Sequence, residues 1–202
     1  MHAKVRIKSV ENKKHKCVII MTEDSSHLAW LKIGIKTLDV EGWQGLKINE
    51  LCQRLKVTKG SFYHWFKSKS DFDLQVLAYW KLRFTQEFIE LAETGHNSKE
   101  KLSILCEQCI DGALQGSRLE FEINAWSFQN DEVKEYVTSV YEQRHQYLLK
   151  LLSDIYRDET EVKRHGLILY CLVIGVDLFY RELSKQELKL IFSDYLIKTN
   201  DD

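Results

Sequence analysis

The segment Thr58-Lys59-Gly60-Ser61-Phe62-Tyr63-His64-Trp65-Phe66-Lys67-Ser68-Lys69 reads as one short amphipathic helix followed by the start of another. Thr58 is a natural N-cap, and Val57 at N′ with Phe62 at N4 has the spacing of a hydrophobic staple. Phe62 and Phe66, four residues apart, share a face, and with Val57 they make the apolar side. Lys59, Gly60, Ser61, Tyr63, His64 and Lys67 are left for solvent or a partner. Ser68-Lys69-Ser70-Asp71 then has the pattern of a capping box opening a long helix to about Thr94.

Just upstream, Ile48, Leu51, Cys52 and Leu55 fall at i, i+3, i+4 and i+7, the stripe of a short helix that joins the first at Lys56-Val57. Between Arg54 and Lys69 stand five cations (Arg54, Lys56, Lys59, Lys67, Lys69) and no acid. A bracing helix, a turn and a second helix with a cationic, hydroxyl-rich face form the design of a helix-turn-helix. Its second helix enters the major groove while lysines and hydroxyls hold phosphates. A charge run alone usually means a solvated face. Here cap, staple, turn and acid-free run coincide, and nucleic-acid binding is the stronger reading.

Helical periodicity extends outward in both directions. A first helix is expected from Asp24 or Ser25 to about Val40, ending at Gly42. Beyond Thr94, Ser98 is the expected cap of a fifth helix carrying Leu102, Leu105, Cys106, Cys109 and Ile110, broken at Gly116. A sixth covers about Leu119 to Phe128, and Asn130 or Asp131 caps a seventh through Ile155. An eighth spans about Glu161 to Leu183, and Ser184-Lys185-Gln186-Glu187 opens a ninth. The fold class is therefore all-α, with about nine helices: an N-terminal three-helix headpiece (residues 23–84, helix-turn-helix about 48–67) and a C-terminal helical domain (85–202). Residues 1–22, rich in lysine, read as a basic arm, and Met21 is an alternative start.

Composition agrees. The 202 residues contain no proline where average usage of about 5% would give roughly 10, and 9 glycines where roughly 14 are usual. Scarce turn punctuation disfavours an all-β fold. The net charge of −1 conceals polarity: residues 1–81 hold 15 basic and 8 acidic side chains, a net of +7, and residues 82–202 hold 14 and 22, a net of −8. Five scattered cysteines with no secretory signal point to reduced thiols in a cytoplasmic protein. No apolar stretch is long enough to span a bilayer.

Thr58 to Lys69 resembles the recognition-helix signature of TetR-family transcriptional regulators. Tyr63, Phe66 and Lys69 form its specific core, and the likeness runs over about residues 24–84 through Gly42-Trp43, Ile48, Leu51, Val57 and Asp71-Phe72. The resemblance implies that Gly60, Ser61 and His64 meet bases or backbone, and that Thr58, Lys59, Tyr63 and Lys69 contact phosphates. Lys67 belongs to the same basic face. Three positions depart from the family pattern. Lys47 stands where a Thr usually caps the second helix, either losing that cap or gaining a phosphate contact. Gly34 replaces a small Ala, and Lys56 replaces the usual turn Gly.

A two-fold DNA site needs two recognition helices one turn apart, which implies a homodimer. Leu167 to Tyr180 is apolar almost all round, so burial on every side is expected. The eighth and ninth helices are the expected interface, with Cys171, Ile174, Leu178, Phe192 and Tyr195 as candidates. The resemblance also implies an effector pocket among the middle helices, with Trp126 and His145 as candidate contacts. Aromatic stripes are more often core than pocket, however. Cys106-x-x-Cys109 lacks the second pair that a zinc site needs, so core thiols are the expectation and no metal or cofactor is assigned. No phosphate-binding glycine loop, nucleophile elbow or paired-carboxylate site is present, which argues against an enzyme. The expected function is a dimeric repressor released from a palindromic double-stranded DNA operator by a small-molecule effector. The alternative is a helical adaptor that keeps the headpiece without specific DNA binding.

Overall fold

A computed structural model describes residues 6–7, 10–11, 16–17, 20–21, 25–177 and 182–196. The fold is all-α apart from four two-residue strands near the N-terminus. These are β1 (Arg6–Ile7), β2 (Val10–Glu11), β3 (Lys16–Cys17) and β4 (Ile20–Met21). β1 pairs antiparallel with β4 and β2 with β3, so the segment read as a plain arm carries two short ladders. Lysine-rich composition masked this: the strands are too short for period-2 alternation to register.

The helices are α1 (Ser25–Glu41), α2 (Ile48–Leu55), α3 (Lys59–Trp65), α4 (Lys69–Lys81), α5 (Glu87–Ala92), α6 (Ser98–Leu114), α7 (Leu119–Ser127), α8 (Asp131–Ile155), α9 (Glu159–Asp177) and α10 (Lys185–Ile191). One 3-10 turn, Trp43–Gly45, links α1 to α2. α4 runs without a break into a π-turn, Leu82–Gln86, and on into α5. The single long helix expected to Thr94 is thus one widened helix, and nine helices stand among the described residues. Gly42 and Gly116 take positive φ (71° and 63°) at the ends of α1 and α6, the helix-closing conformation that glycine adopts most easily.

The caps of α4 and α6 differ in detail from the sequence reading. Asn97, not Ser98, caps α6, accepting from the Glu100 N–H at 3.0 Å, while Ser98 donates its hydroxyl to Asp154. The Ser68 Oγ accepts from the Asp71 N–H at 3.0 Å, but Asp71 returns its carboxylate to the Lys67 N–H (2.7 Å), one residue further back than a strict box. Ser184 and Glu187 complete a reciprocal capping box at α10.

The chain divides into two compact units, residues 1–82 with 122–139, and residues 83–121 with 140–202. In the first, α1 packs against α2 and α4, and α2 against α3. The core is an aromatic cluster: Trp30 meets Phe62 at 5.4 Å, Phe62 meets Phe66 at 5.1 Å, and Phe66 meets Phe72 at 4.9 Å. All four rings are fully buried, and their edge-to-face and tilted contacts add to the area they bury. Gly34 lets α1 approach α4: a Cβ there would stand 2.7 Å from a Val76 methyl. In the second unit, Leu102, Cys106, Ile110, Leu151, Leu152, Leu169, Leu188, Phe192 and Tyr195 form the core between α6, α8, α9 and α10.

Candidate nucleic-acid interface

The helix-turn-helix stands on the aromatic cluster. Ile48, Leu51, Cys52 and Leu55 face inward on α2, and Phe62 and Phe66 anchor α3. Val57 is the exception: it is exposed, so the apolar side of α3 is completed by Trp30 and Phe72 from neighbouring helices. Thr58 occupies the N-cap position with extended backbone, but its side chain makes no capping bond. The turn between the helices forces Lys56 into the left-handed region (φ 56°, ψ 42°), where its N–H closes α2 on the Cys52 and Gln53 carbonyls. Nothing in a lysine favours that conformation.

His27 of α1 is a residue that sequence reasoning missed. It is buried, with its ring 5.3 Å from both Trp65 and Phe66. Its Nε2 lies 3.0 Å from Gln75 Oε1, so that nitrogen carries the proton and donates. Gln75 in turn donates to Asp71 (3.0 Å), the carboxylate that also accepts from Lys67 N. A hydrogen-bonded chain therefore fixes the elbow between α3 and α4. A polar residue just inside the start of α1 gave no pattern to find it by.

Outward from this base, Thr58, Lys59, Gly60, Tyr63, His64 and Lys67 are exposed and Ser61 is half-buried. Tyr63 is 58% exposed, its ring edge-on to Phe62 at 5.2 Å. A Cβ at Gly60 would touch only Thr58 Oγ1, at an ordinary 3.5 Å, so no packing within the chain requires glycine there. The structure thus brings eight of the nine sequence-predicted contacts into one run, residues 58–69. The ninth, Lys47, lies at the start of α2.

The lysines are not equivalent. Lys47 is paired with Glu50 at 3.0 Å, and Lys69 with Asp73. Arg54 holds Glu41 through both nitrogens and donates to Thr37, tying α2 to α1. That hydrogen bond holds the Glu41 carboxyl below its usual range. Lys56, Lys59 and Lys67 hold no carboxylate among the described residues. Burial pushes Asp73 up to about 6, against the pull of Lys69, and Glu132 nearby adds to the rise. Glu132 also accepts from the Ser70 hydroxyl at 2.7 Å.

The remaining candidates separate. Trp126 is buried in the first unit. His145, in the second, is half-buried and edge-on to Tyr170 at 5.5 Å. Cys171 and Ile174 are exposed on α9, in line with Leu167, so α9 is buried on one side only. Phe192 and Tyr195 are corrected. Both lie inside this chain's own core, where α10 folds onto α6, and no surface of Phe192 is left for a partner. Tyr195 Oη lies 2.8 Å from His165 Nδ1. Because Arg164 donates to His165 Nε2, Nδ1 carries the proton and donates to the tyrosine. Leu178 lies outside the described residues. Cys106 is buried, which pushes its thiol well up, and Cys109 is half-buried. Among the described residues no group of three metal-ligating side chains is gathered, and no helix is long and apolar enough to cross a membrane.

Residues 32–74 match the family model described as bacterial regulatory proteins, tetR family. Over 52 residues the chain is 33% identical to the transcriptional regulator AcuR of Cereibacter sphaeroides, covering 26% of this chain and 24% of that protein. Over 101 residues it is 29% identical to the HTH-type transcriptional repressor NemR of Escherichia coli K12, covering 47% of this chain and 51% of that one. The chain thus spans about a quarter and about half of these relatives. The crystal structure of SCO4454, a TetR-family transcriptional regulator from Streptomyces coelicolor, superposes with a TM-score of 0.71 at 16% identity, over 86% of this chain and 91% of that one, a likeness of fold. Residues 32–74 of this chain are thus similar to the tetR family of bacterial regulatory proteins, and the chain shares its fold with the Streptomyces coelicolor regulator over 86% of its length.

Proposed function

We propose that the protein is a homodimeric transcriptional repressor acting in the cytoplasm. Each protomer places α3 in the major groove of one half of a palindromic operator, and a small-molecule effector releases it. Residues 23–84 are the DNA-binding domain and 85–202 the effector and dimerisation domain. The observation that carries this reading is the exposed face of α3. Hydroxyls, a histidine and Lys59 stand together on a helix locked from beneath by four buried rings, with Lys56 and Lys67 on either side of it. Such a face is preorganised for phosphate and base edges and leaves no acid to repel them.

In this reading Ser61, His64 and the backbone at Gly60 face base edges. Thr58, Lys59, Tyr63, Lys67 and Lys69 hold phosphates, with Lys47 at the flank. The uncovered stripe Leu167, Cys171 and Ile174 is the surface for the second copy. Trp126 and His145 are proposed as effector contacts, each to be tested by itself. A bound effector shifts the population between a form that engages both half-sites and one that does not.

The test is selection of bound duplexes from a random pool, followed by a salt titration on the enriched sequence. A palindrome with a steep salt slope is the expected result. Tyr63→Phe and Lys69→Ala weaken binding to all sequences alike, while His64→Ala changes base preference. Binding without sequence preference would favour a helical adaptor instead.

A further inference from the structure

His64, the side chain set against base edges in the proposed reading, stands on the exposed face of α3. An exposed side chain ordinarily hops among staggered rotamers, which blurs its aim at a base. His64 has a support. Its ring meets the Trp65 indole edge-on, with centroids 4.7 Å apart and planes at 80°. Trp65 is the last residue of α3, and the backbone turns extended at Phe66 (φ −125°, ψ 129°). The half-buried indole also meets the His27 ring, at 5.3 Å and tilted by 40°. His27 lies 5.3 Å from Phe66 as well, a wedge between α1 and the end of α3. With only 6% of its surface exposed, His27 does not itself reach DNA.

We propose that His27 is a positioning residue for base recognition: through Trp65 it holds the His64 imidazole in one orientation toward the DNA. This rests on the reading in which α3 enters the major groove. The wedge is itself held in place. His27 donates from Nε2 to Gln75 Oε1 at 3.0 Å, and Gln75 donates to Asp71 Oδ1 at 3.0 Å. The other Asp71 oxygen accepts from the Lys67 N–H at 2.7 Å. Two routes therefore leave one imidazole. The ring route runs through Trp65 to the side chain of His64. The polar route runs through Gln75 and Asp71 to the backbone at Lys67, where the chain leaves α3. An imidazole serves both, because it carries an aromatic face and an N–H in one rigid plane. A phenyl ring would keep the first route and an amide side chain the second, so substitution separates them. The size of the effect follows from rotamer counting. A side chain spread evenly over three rotamers holds the productive one about a third of the time, which weakens the specific contact about threefold.

The test remakes the duplex enriched by selection with each of the four base pairs at the position whose preference His64→Ala loses. Dissociation constants on these four duplexes are measured for the native chain, His27→Gln, His27→Phe and Trp65→Leu. His27→Gln is expected to bind the preferred duplex about threefold more weakly and the other three as before. Trp65→Leu cuts the same route, carries the same expectation, and decides the matter if His27→Gln does not fold. His27→Phe is expected to weaken all four duplexes alike and keep the discrimination. In His27→Gln combined with His64→Ala, no loss of discrimination beyond that of His64→Ala is expected, because the wedge acts through that ring. An unchanged ratio in His27→Gln, or equal weakening of all four duplexes, overturns the proposal, since a merely structural role moves affinity without moving preference. If His64→Ala alters no base preference, the wedge has nothing to aim and the proposal falls. A second arm needs no DNA: side-chain couplings of His64 are measured by NMR on the full chain. One dominant rotamer is expected in the native chain and averaging in His27→Gln; the same averaging in both sinks the idea. If selection enriches no duplex, the regulator reading fails and this arm still judges the wedge.

Discussion

Replacing Lys56 by glycine should make the protein more stable while removing a cation from its basic face. Lys56 is the one non-glycine residue with positive φ among the described residues. A left-handed conformation costs an L-residue about 1–2 kcal/mol, because its Cβ crowds the following carbonyl. Glycine escapes that cost but gains freedom in the unfolded chain, which takes back about 0.4–1 kcal/mol. The balance is a gain of about 0.5–1 kcal/mol. For a chain of this length that raises Tm by about 2–4 °C per kcal/mol. The assay is urea unfolding followed by circular dichroism, with the midpoint rising and the slope unchanged. Lys56→Ala is the control: it removes the ammonium and keeps the strain, so it should gain nothing. If Lys56→Gly leaves the midpoint unmoved, or Lys56→Ala matches it, the strain argument fails.

Gly34→Ala should destabilise by about 1 kcal/mol in urea melts, because overpacking against the Val76 methyl at 2.7 Å outweighs a helix-propensity gain of about 1 kcal/mol. Adding Val76→Ala should make the pair non-additive, and independent effects would refute the close approach. Asp73 has a folded pKa near 6, raised above that of the unfolded chain. It therefore contributes stability below about pH 4 that is lost as pH rises through 6. Asp73→Asn should flatten the Tm profile over that window by on the order of 5 °C, and an unchanged profile would assign the slope elsewhere. Ile174→Glu on the exposed stripe of α9 should shift the sedimentation coefficient toward that of a monomer without lowering helix content. An unaltered dimer would place the interface elsewhere.

Much of the headpiece was legible because its signals are local. Caps, a four-residue aromatic spacing and an acid-free run lie within 16 residues, and the helices form where these signals place them, though Thr58 makes no side-chain capping bond and Val57 stays exposed. What escaped depends on distant partners. Trp30 and Phe72 complete the floor beneath α3 from other helices, which leaves Val57 outside. His27 gains its role from Trp65 and Gln75, far along the chain. The π-turn has no breaker residue of its own. Phe192 and Tyr195 have the periodicity of an interface, but the same apolar pattern serves equally well for folding α10 onto α6. Periodicity reports that a face is buried, not by which molecule.

The pairing of Lys69 with Asp73 bears on how DNA would be held. Asp73 is a counterion fixed to the protein. For Lys69 to take a phosphate it must leave that carboxylate, which then needs a new positive charge. One salt cation leaves the DNA and another settles on Asp73, so this contact adds little to the salt slope. Near pH 6 the newcomer can be a proton instead. Operator affinity should then rise as pH falls toward 6, with less than one proton taken up per protomer, a form of sensing that requires no effector.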